Sequence, residues 1–139
     1  MINSISVPMQ ELGKDANAIF KTNQVITKSS RNPYVGWMDY SQSNGVFTIT
    51  RPGIYRIHYN ANVTASDKLA ARLAIMANDK VLEGSQTETF ISEPTLYQAL
   101  SATTLVRVTV NNVLPISLTN ISEDKIEIKE ASIIIDRVA

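Results

Sequence analysis

Strict alternation of apolar and polar residues is the feature that most limits how this chain can fold. From Tyr55 to Val63 every second side chain is apolar, and the residues between them, Arg56 to Asn62, are polar. A period of two places the two sets on opposite faces of a β-strand, one buried and one in contact with solvent. A helix would mix the two sets around its surface. The segment therefore predicts a strand whose buried face carries Tyr55, Ile57 and Tyr59.

The same alternation recurs along the chain, which is rich in Ile, Val and Thr, residues that favour strands. Short strands at close spacing, with turn residues such as Asn111-Asn112 between them, predict an all-β sandwich or barrel. Pro115 predicts an edge strand or a bulge, because proline has no amide hydrogen for a sheet ladder. The other alternating segments are Val46–Thr50, Leu105–Val110, Val113–Thr119 and Ile126–Lys129.

Residues 66–77 fit two kinds of structure. Ser66 is a candidate helix N-cap, and strong helix formers follow it. Leu69 to Ala77 also alternate, and Asn78-Asp79 resembles the turn of a β-hairpin. The β pattern of the surrounding sequence favours a strand, and a helix is the alternative.

Three consecutive isoleucines, Ile133, Ile134 and Ile135, break the alternation near the end of the chain. A strand with one solvated face would not place Ile134 on that face. Either both faces are covered, as at a contact with a neighbouring subunit, or a bulge shifts the register.

Composition excludes several classes of chemistry. A chain of 139 residues is the size of a single domain, and its 13 basic and 13 acidic residues leave no basic excess for nucleic acid. The chain has no cysteine and only one histidine, His58, which removes thiol nucleophiles, disulfides and two-histidine metal sites. We therefore predict no enzyme activity and no cofactor. His58 is expected on an exposed or interface strand face, a pH-sensitive interface contact being the alternative.

Several smaller motifs receive structural interpretations. Glu123-Asp124 falls short of the six to eight oxygens of a calcium shell. The triplets that begin at Asn62 and Asn120 match the glycosylation acceptor pattern, which is frequent by chance in such a chain. No apolar run reaches the length of a membrane span, and Met1 to Ser6 lack the basic and apolar regions of a secretory signal. The sequence thus predicts a chain that stays in the cytosol, that reaches a surface by assembly or lysis, or that is part of a longer protein.

Residues Gly45 to Ile57, GVFTITRPGIYRI, resemble the G-x-F-T-x-x-x-P-G-x-Y-x-F signature of C1q/tumour-necrosis-factor-like jelly rolls. Phe47 and Tyr55 match without a gap, and Pro52-Gly53 is expected to form the tight turn between two strands. The likeness extends over residues 34–138 and is nearest to the heads of Firmicute collagen-like exosporium glycoproteins and of phage fibres. Ile57 stands where the family often has Phe, and Ala131 where Gly is common.

The resemblance implies an all-β, ten-stranded, two-sheet jelly-roll sandwich that assembles as a homotrimer and has no catalytic role. Residues 34–139 would form the jelly-roll core, and residues 1–33 a strand and loop segment of the same domain. The candidates for the core and the trimer interface are Phe47, Tyr55, Ile57, Tyr59, Ile133, Ile134 and Ile135.

The function expected from these observations is that of a non-enzymatic surface module on a phage virion, either a head fibre or a capsid decoration protein. Its partners would be further copies of itself and a capsid or other virion protein. One alternative is a head on a bacterial spore coat or other extracellular surface. Another is an adhesion head that binds a host glycan or receptor through a loop bearing Tyr34, Trp37 and Tyr40.

Overall fold

The structure, a computed structural model, describes residues 2–7, 9–20 and 38–139, and for residues 2–7 the backbone alone. Every regular element in these ranges is a β-strand, and no apolar helix of the length needed for a bilayer span occurs in them. In chain order the strands are β1 (Ile2–Val7), β2 (Gln10–Leu12), β3 (Met38–Ser41), β4 (Val46–Ile49), β5 (Gly53–Thr64), β6 (Leu69–Ala77), β7 (Lys80–Val81), β8 (Thr87–Ile91), β9 (Gln98–Val108), β10 (Leu114–Asn120) and β11 (Ile126–Arg137).

The strands form two antiparallel sheets. The first sheet has the order β1-β11-β5-β9, and β2 also pairs with β11. The second has the order β3-β4-β10-β6-β7, and β8 also pairs with β6. Strand β7 is a two-residue hairpin extension of β6, and the other ten strands make up the sandwich. The predicted all-β, two-sheet jelly roll is confirmed.

The core lies between the two sheets and is built from the alternating positions. Strand β5 buries Tyr55, Ile57 and Tyr59 completely, while Arg56 before Ile57 and Asn60 after Tyr59 are exposed. From the second sheet, the side chains that complete this core include Phe47, Ile49, Leu73, Ile75, Ile116 and Leu118.

A bulge in β11 lets isoleucines from both halves of this strand face the core. The ladder between β11 and β5 gains one extra residue between Lys129 and Ser132, where Glu130 has φ 53°. The alternation therefore changes phase, so that Ile126 and Ile128 before the bulge and Ile133 and Ile135 after it all face the core. Ile134 is left on the outer face of the sheet, where it is half-buried.

Residues 66–77 contain strand β6, so the helical alternative is wrong. This strand pairs with β10 on one side and with β7 and β8 on the other. Asn78 and Asp79 form the turn that follows, with φ values of 50° and 63°. Two consecutive positive φ angles match the twist of a tight β-hairpin. The ladders on both sides of β6 outweigh the local helix propensity.

Pro115 corrects a second expectation, because β10 lies inside the second sheet rather than at its edge. The ladder between β10 and β6 begins only at Ile116, and Pro115 pairs with Thr48 of β4. Proline is tolerated here because it stands before the start of the second ladder.

Two glycines of the predicted signature occupy positions that only glycine fits. Gly53 has φ 155°, and an added Cβ would lie 2.6 Å from Arg137 Nε and 2.9 Å from Ala139 O. At Gly45 (φ 73°) an added Cβ would lie 2.3 Å from Ala18 O. Both sites combine a left-handed or mirror-image backbone with close approach of another segment.

The hydroxyl of Tyr59 is a buried polar group inside the apolar core. It donates to Ser85 O at 2.6 Å and lies 2.7 Å from Thr87 Oγ1. Burial raises the pKa of Tyr59 to about 12, and the hydrogen bond with Thr87 partly opposes that rise. Satisfied in this way, the hydroxyl links β5 to the segment between β7 and β8.

We expect Tyr55→Ala to lower the free energy of unfolding by about 3–5 kcal/mol, because it leaves a cavity where a fully buried aromatic ring packed. Urea denaturation would measure the change. Phe90→Ala is the matched control, since Phe90 is 59% exposed on β8 and its loss should cost about 1 kcal/mol or less. Equal losses for the two variants would contradict the assigned facing of β5.

The pKa of Tyr59 also predicts how stability depends on pH. Between pH 10 and pH 12 the unfolded chain loses this proton while the folded protein keeps it, so stability falls as the pH rises. Over that interval the wild type should lose about 2–3 kcal/mol more than Tyr59→Phe, which cannot ionise. If the wild type and Tyr59→Phe lost the same stability between pH 10 and pH 12, the Tyr59 hydroxyl would not be shielded from solvent as described.

Candidate subunit interface

The outer face of the first sheet is the surface formed by the side chains of β5, β9 and β11 that point away from the core. Strand register sets them in rows across the three strands. From one end to the other the rows are Ile54–Arg107, Asp136–Arg56–Leu105, Ile134–His58–Thr103, Ser132–Asn60–Ser101 and Lys129–Asn62–Ala99.

Polar side chains on this face are bonded to one another across adjacent strands. Such pairing gives each of these groups a partner within the protomer before any other molecule approaches. The pairs are an Arg56–Asp136 ion pair, a 2.7 Å contact between His58 Nδ1 and Thr103 Oγ1, a 2.9 Å bond from Ser132 Oγ to Asn60 Oδ1, and a 2.8 Å bond from Asn62 Nδ2 to Glu130 Oε2.

Two large apolar side chains, Ile134 and Leu105, lie among these pairs. Ile134 is half-buried and Leu105 is 60% exposed. Small side chains, Ala99 and Ser101, occupy the other end of β9 on the same face. The face therefore offers apolar contact area at Ile134 and Leu105. At its other end the side chains are small, so the backbone of another chain can approach closely.

Strand β9 forms one edge of the first sheet. In the described part of the chain it pairs with β5 alone, over eleven residues from Gln98 to Val108. It contains neither proline nor glycine, the residues that commonly interrupt an exposed edge. The edge of β9 that faces away from β5 has no strand partner in the described ranges, so its backbone groups are available for contact with a second chain.

The residues predicted for the core and the interface separate into two groups. Ile134 alone reaches the outer face of the first sheet. The six that are completely buried between the sheets are Phe47, Tyr55, Ile57, Tyr59, Ile133 and Ile135.

Of the aromatic residues predicted for a ligand loop, Tyr34 and Trp37 lie outside the described residues. Tyr40 lies in strand β3 rather than in a loop, with its ring centroid 4.4 Å from that of Phe47. Its hydroxyl donates to Phe20 O and accepts from Phe20 N, both at 2.6 Å. Burial raises the pKa of Tyr40. Tyr40 thus fastens the N-terminal segment to the second sheet.

Asn120 has a structural role that its sequence context does not reveal. It is completely buried, and its Nδ2 atom lies 3.0 Å from Leu12 O and 3.1 Å from Gly13 O. Its Oδ1 atom accepts from Ser122 N at 2.9 Å. These bonds join the N-terminal segment to the loop between β10 and β11. The asparagine of the glycosylation acceptor triplet that begins at Asn120 therefore lies in the protein interior.

The loop that contains Glu123 and Asp124 is held by ordinary surface contacts. Glu123 Oε2 lies 3.4 Å from Lys14 Nζ, and Asp124 Oδ1 accepts from Lys125 N at 2.7 Å. The described ranges contain no group of three or more His, Cys, Asp or Glu side chains arranged to hold a metal ion.

Solved structures with the same arrangement of strands come from the tumour necrosis factor group. The Eiger TNF of S. frugiperda has a TM-score of 0.61 at 9% identity, with 99% of this chain and 93% of that chain covered. Murine APRIL, solved at pH 5.0, has a TM-score of 0.65 at 7% identity, with 99% and 100% covered. These two show the fold. The globular domain of the zebrafish complement 1qA protein also matches, with a TM-score of 0.40 at 10% identity and 92% and 96% covered.

A sequence search of the curated proteins finds no significant match. The family model of the BclA C-terminal domain, in contrast, matches residues 17–139, which is most of the chain. This match agrees with the resemblance to exosporium heads noted in the sequence. The chain belongs to the BclA C-terminal domain family, on a jelly roll of the tumour necrosis factor type.

Proposed function

We propose that this protein is a non-enzymatic head that forms a homotrimer through the outer face of the first sheet and is displayed on a surface. Membership of the BclA C-terminal domain family supports the role of a surface head. The observation that carries the trimer is the set of internally bonded polar pairs on that face, with Ile134 and Leu105 among them.

The energetic argument concerns desolvation. Covering a polar surface costs free energy for every group that loses water without gaining a partner. Here the Arg56–Asp136 and His58–Thr103 pairs already supply partners from within the protomer. A second subunit can therefore cover the face and gain the apolar area of Ile134 and Leu105 at a reduced cost.

The edge of β9, which has no second strand partner among the described residues, supports the same proposal. Leu105 lies on the β9 strand at this edge, so a contact that covers it also approaches the unpaired backbone. Three such contacts, each joining the edge of one subunit to the face of the next, close into a ring with threefold symmetry. Such an arrangement covers an edge that a monomer would leave open to aggregation.

The proposal assigns no catalytic residue. His58 is the chain's single histidine, and it contacts Thr103 on the proposed interface, where a neighbouring subunit would exclude substrate. It therefore serves as an interface residue rather than a general base.

The place of display is proposed from the sequence. We assign the head to a phage virion, as a head fibre or capsid decoration protein, and the alternative is the surface of a bacterial spore. Mass spectrometry of purified phage particles and of purified spores from the same source would separate the two. We expect many copies in the phage particles, and recovery from spores alone would overturn the phage assignment.

Light scattering during size-exclusion chromatography tests the trimer. We expect a mass three times that of the 15.3 kDa protomer. The double variant Leu105→Glu with Ile134→Glu should elute as a folded monomer, because it would bury several uncompensated carboxylates in each assembly.

Phe90→Glu is the control, since it adds a charge at an exposed aromatic residue of the second sheet. This variant should remain trimeric. A wild type with the protomer mass, or a double variant that stays trimeric, would refute the proposed interface.

A further inference from the structure

A groove crosses the outer face of the second sheet, on the side of the sandwich opposite the proposed interface. It encloses about 350 Å³ and runs along β10, whose outward side chains Pro115, Ser117 and Thr119 form its floor. Val46 of β4 and Met76 of β6 flank the floor on either side. Small hydroxyl side chains between larger apolar neighbours produce the concave shape.

The floor is built as a buried polar network. Ser117 is 6% exposed and Thr119 is 4% exposed, yet both line the groove. Their hydroxyl oxygens are 2.9 Å apart, and Thr119 Oγ1 also lies 2.7 Å from Asn17 Oδ1. The amide of Asn17 is oriented by a 2.9 Å bond that its Nδ2 donates to Asn44 O.

The direction of these bonds follows from the chemistry of the groups. An amide oxygen only accepts, so Thr119 must donate its single hydroxyl proton to Asn17. The short contact between the two hydroxyls therefore requires Ser117 to donate to Thr119. The oxygen of Ser117 is left with lone pairs and no spare proton, and it faces the groove as an acceptor.

Aspartates stand at both ends of the groove. Asp15 is held at the Thr119 end by the bond from its backbone N to Asn120 O at 2.8 Å. Asp79 follows Asn78, whose backbone N donates to Pro115 O at the other end. Four residues of strand separate the two ends by about 13 Å, which is too far for both carboxylates to bind one cation.

The lining therefore offers hydrogen-bond acceptors with apolar flanks. Among the described residues that line the groove there is no lysine or arginine. Acceptors of this kind suit a ligand rich in O–H or N–H donors and disfavour an anion. Val46 and Met76 provide apolar contact for the C–H groups of a ring, and the volume falls within the range of small-molecule sites.

We propose that this groove binds a saccharide unit that is neutral or carries an amine, with Asp15 and Asp79 as acceptors for its hydroxyl or ammonium groups and Ser117 as a further acceptor on the floor. Tyr40, the one described residue of those that the sequence suggested for glycan binding, is not among the residues that line this groove. The groove also does not depend on the trimer, because it lies on the other sheet.

An array of neutral, amine-bearing and sialylated oligosaccharides, probed with the full chain, provides the first test. We expect binding to neutral or amine-bearing members and not to sialylated ones. Titration calorimetry with the strongest array ligand then measures affinity for the wild type and for the double variant Asp15→Asn with Asp79→Asn.

The double variant should bind at least tenfold more weakly, while Asp67→Asn, an exposed aspartate in the loop after β5, should bind like the wild type. Both target residues have positive φ, a conformation that asparagine also tolerates, so the fold should be kept, and thermal denaturation checks this. A strong preference for sialylated saccharides, no binding on the array, or unchanged affinity in the double variant would overturn the proposal. Because oligomeric mass is measured separately, a monomer that binds saccharide would refute the trimer and leave this site standing.

Discussion

Burial of one face of β5 between the two sheets is the interaction on which the rest of the structure depends. Tyr55, Ile57 and Tyr59 fill the centre of the core, and β5 pairs along most of its length with β9 on one side and β11 on the other. Once this face is buried, the alternation of the strand exposes Arg56, His58 and the residues beyond them. The inner packing thereby decides which side chains of the first sheet are free to meet another molecule.

The two outer faces of the sandwich differ in chemistry, and we assign them different roles. The first sheet presents polar side chains that are bonded to one another, such as His58 and Thr103, together with the exposed Leu105. The second presents a groove whose acceptors, Ser117 among them, keep lone pairs available. A satisfied polar surface suits contact with another protein subunit, whereas unfilled acceptors suit a ligand that brings its own donors.

Much of the fold could be predicted because strand signals are local. Period-two patterns located β4, β5 and β10 and parts of β9 and β11, and the Gly45 to Ile57 signature indicated the family. Residues 66–77 were ambiguous because the same residues satisfy helix propensity and strand alternation. Only the ladders that β6 makes with β10 and β8 resolve that ambiguity, and these pair residues that are far apart in the chain.

The candidate sites were harder to predict because they depend on the alignment of strands distant in sequence. The run of three isoleucines indicated either a covered face or a bulge, and the bulge at Glu130 lies just before that run. Nothing in the sequence around Asn120 or Thr119 suggested a buried hydrogen-bonding role. Such roles arise from partners such as Leu12 and Asn17, more than a hundred residues away along the chain.

The sequence by itself determined that most of the chain forms strands, which side chains share a face within a regular strand such as β5, and which chemistries its composition excludes. These properties follow from the alternation of side chains along a single strand, which no distant residue can alter. The tertiary structure decided which faces meet inside, where the bulge lets both halves of β11 face the core, and how the Ser117 groove is enclosed. Those features depend on register between strands, and register is set only when the two sheets pack together and bury their apolar faces.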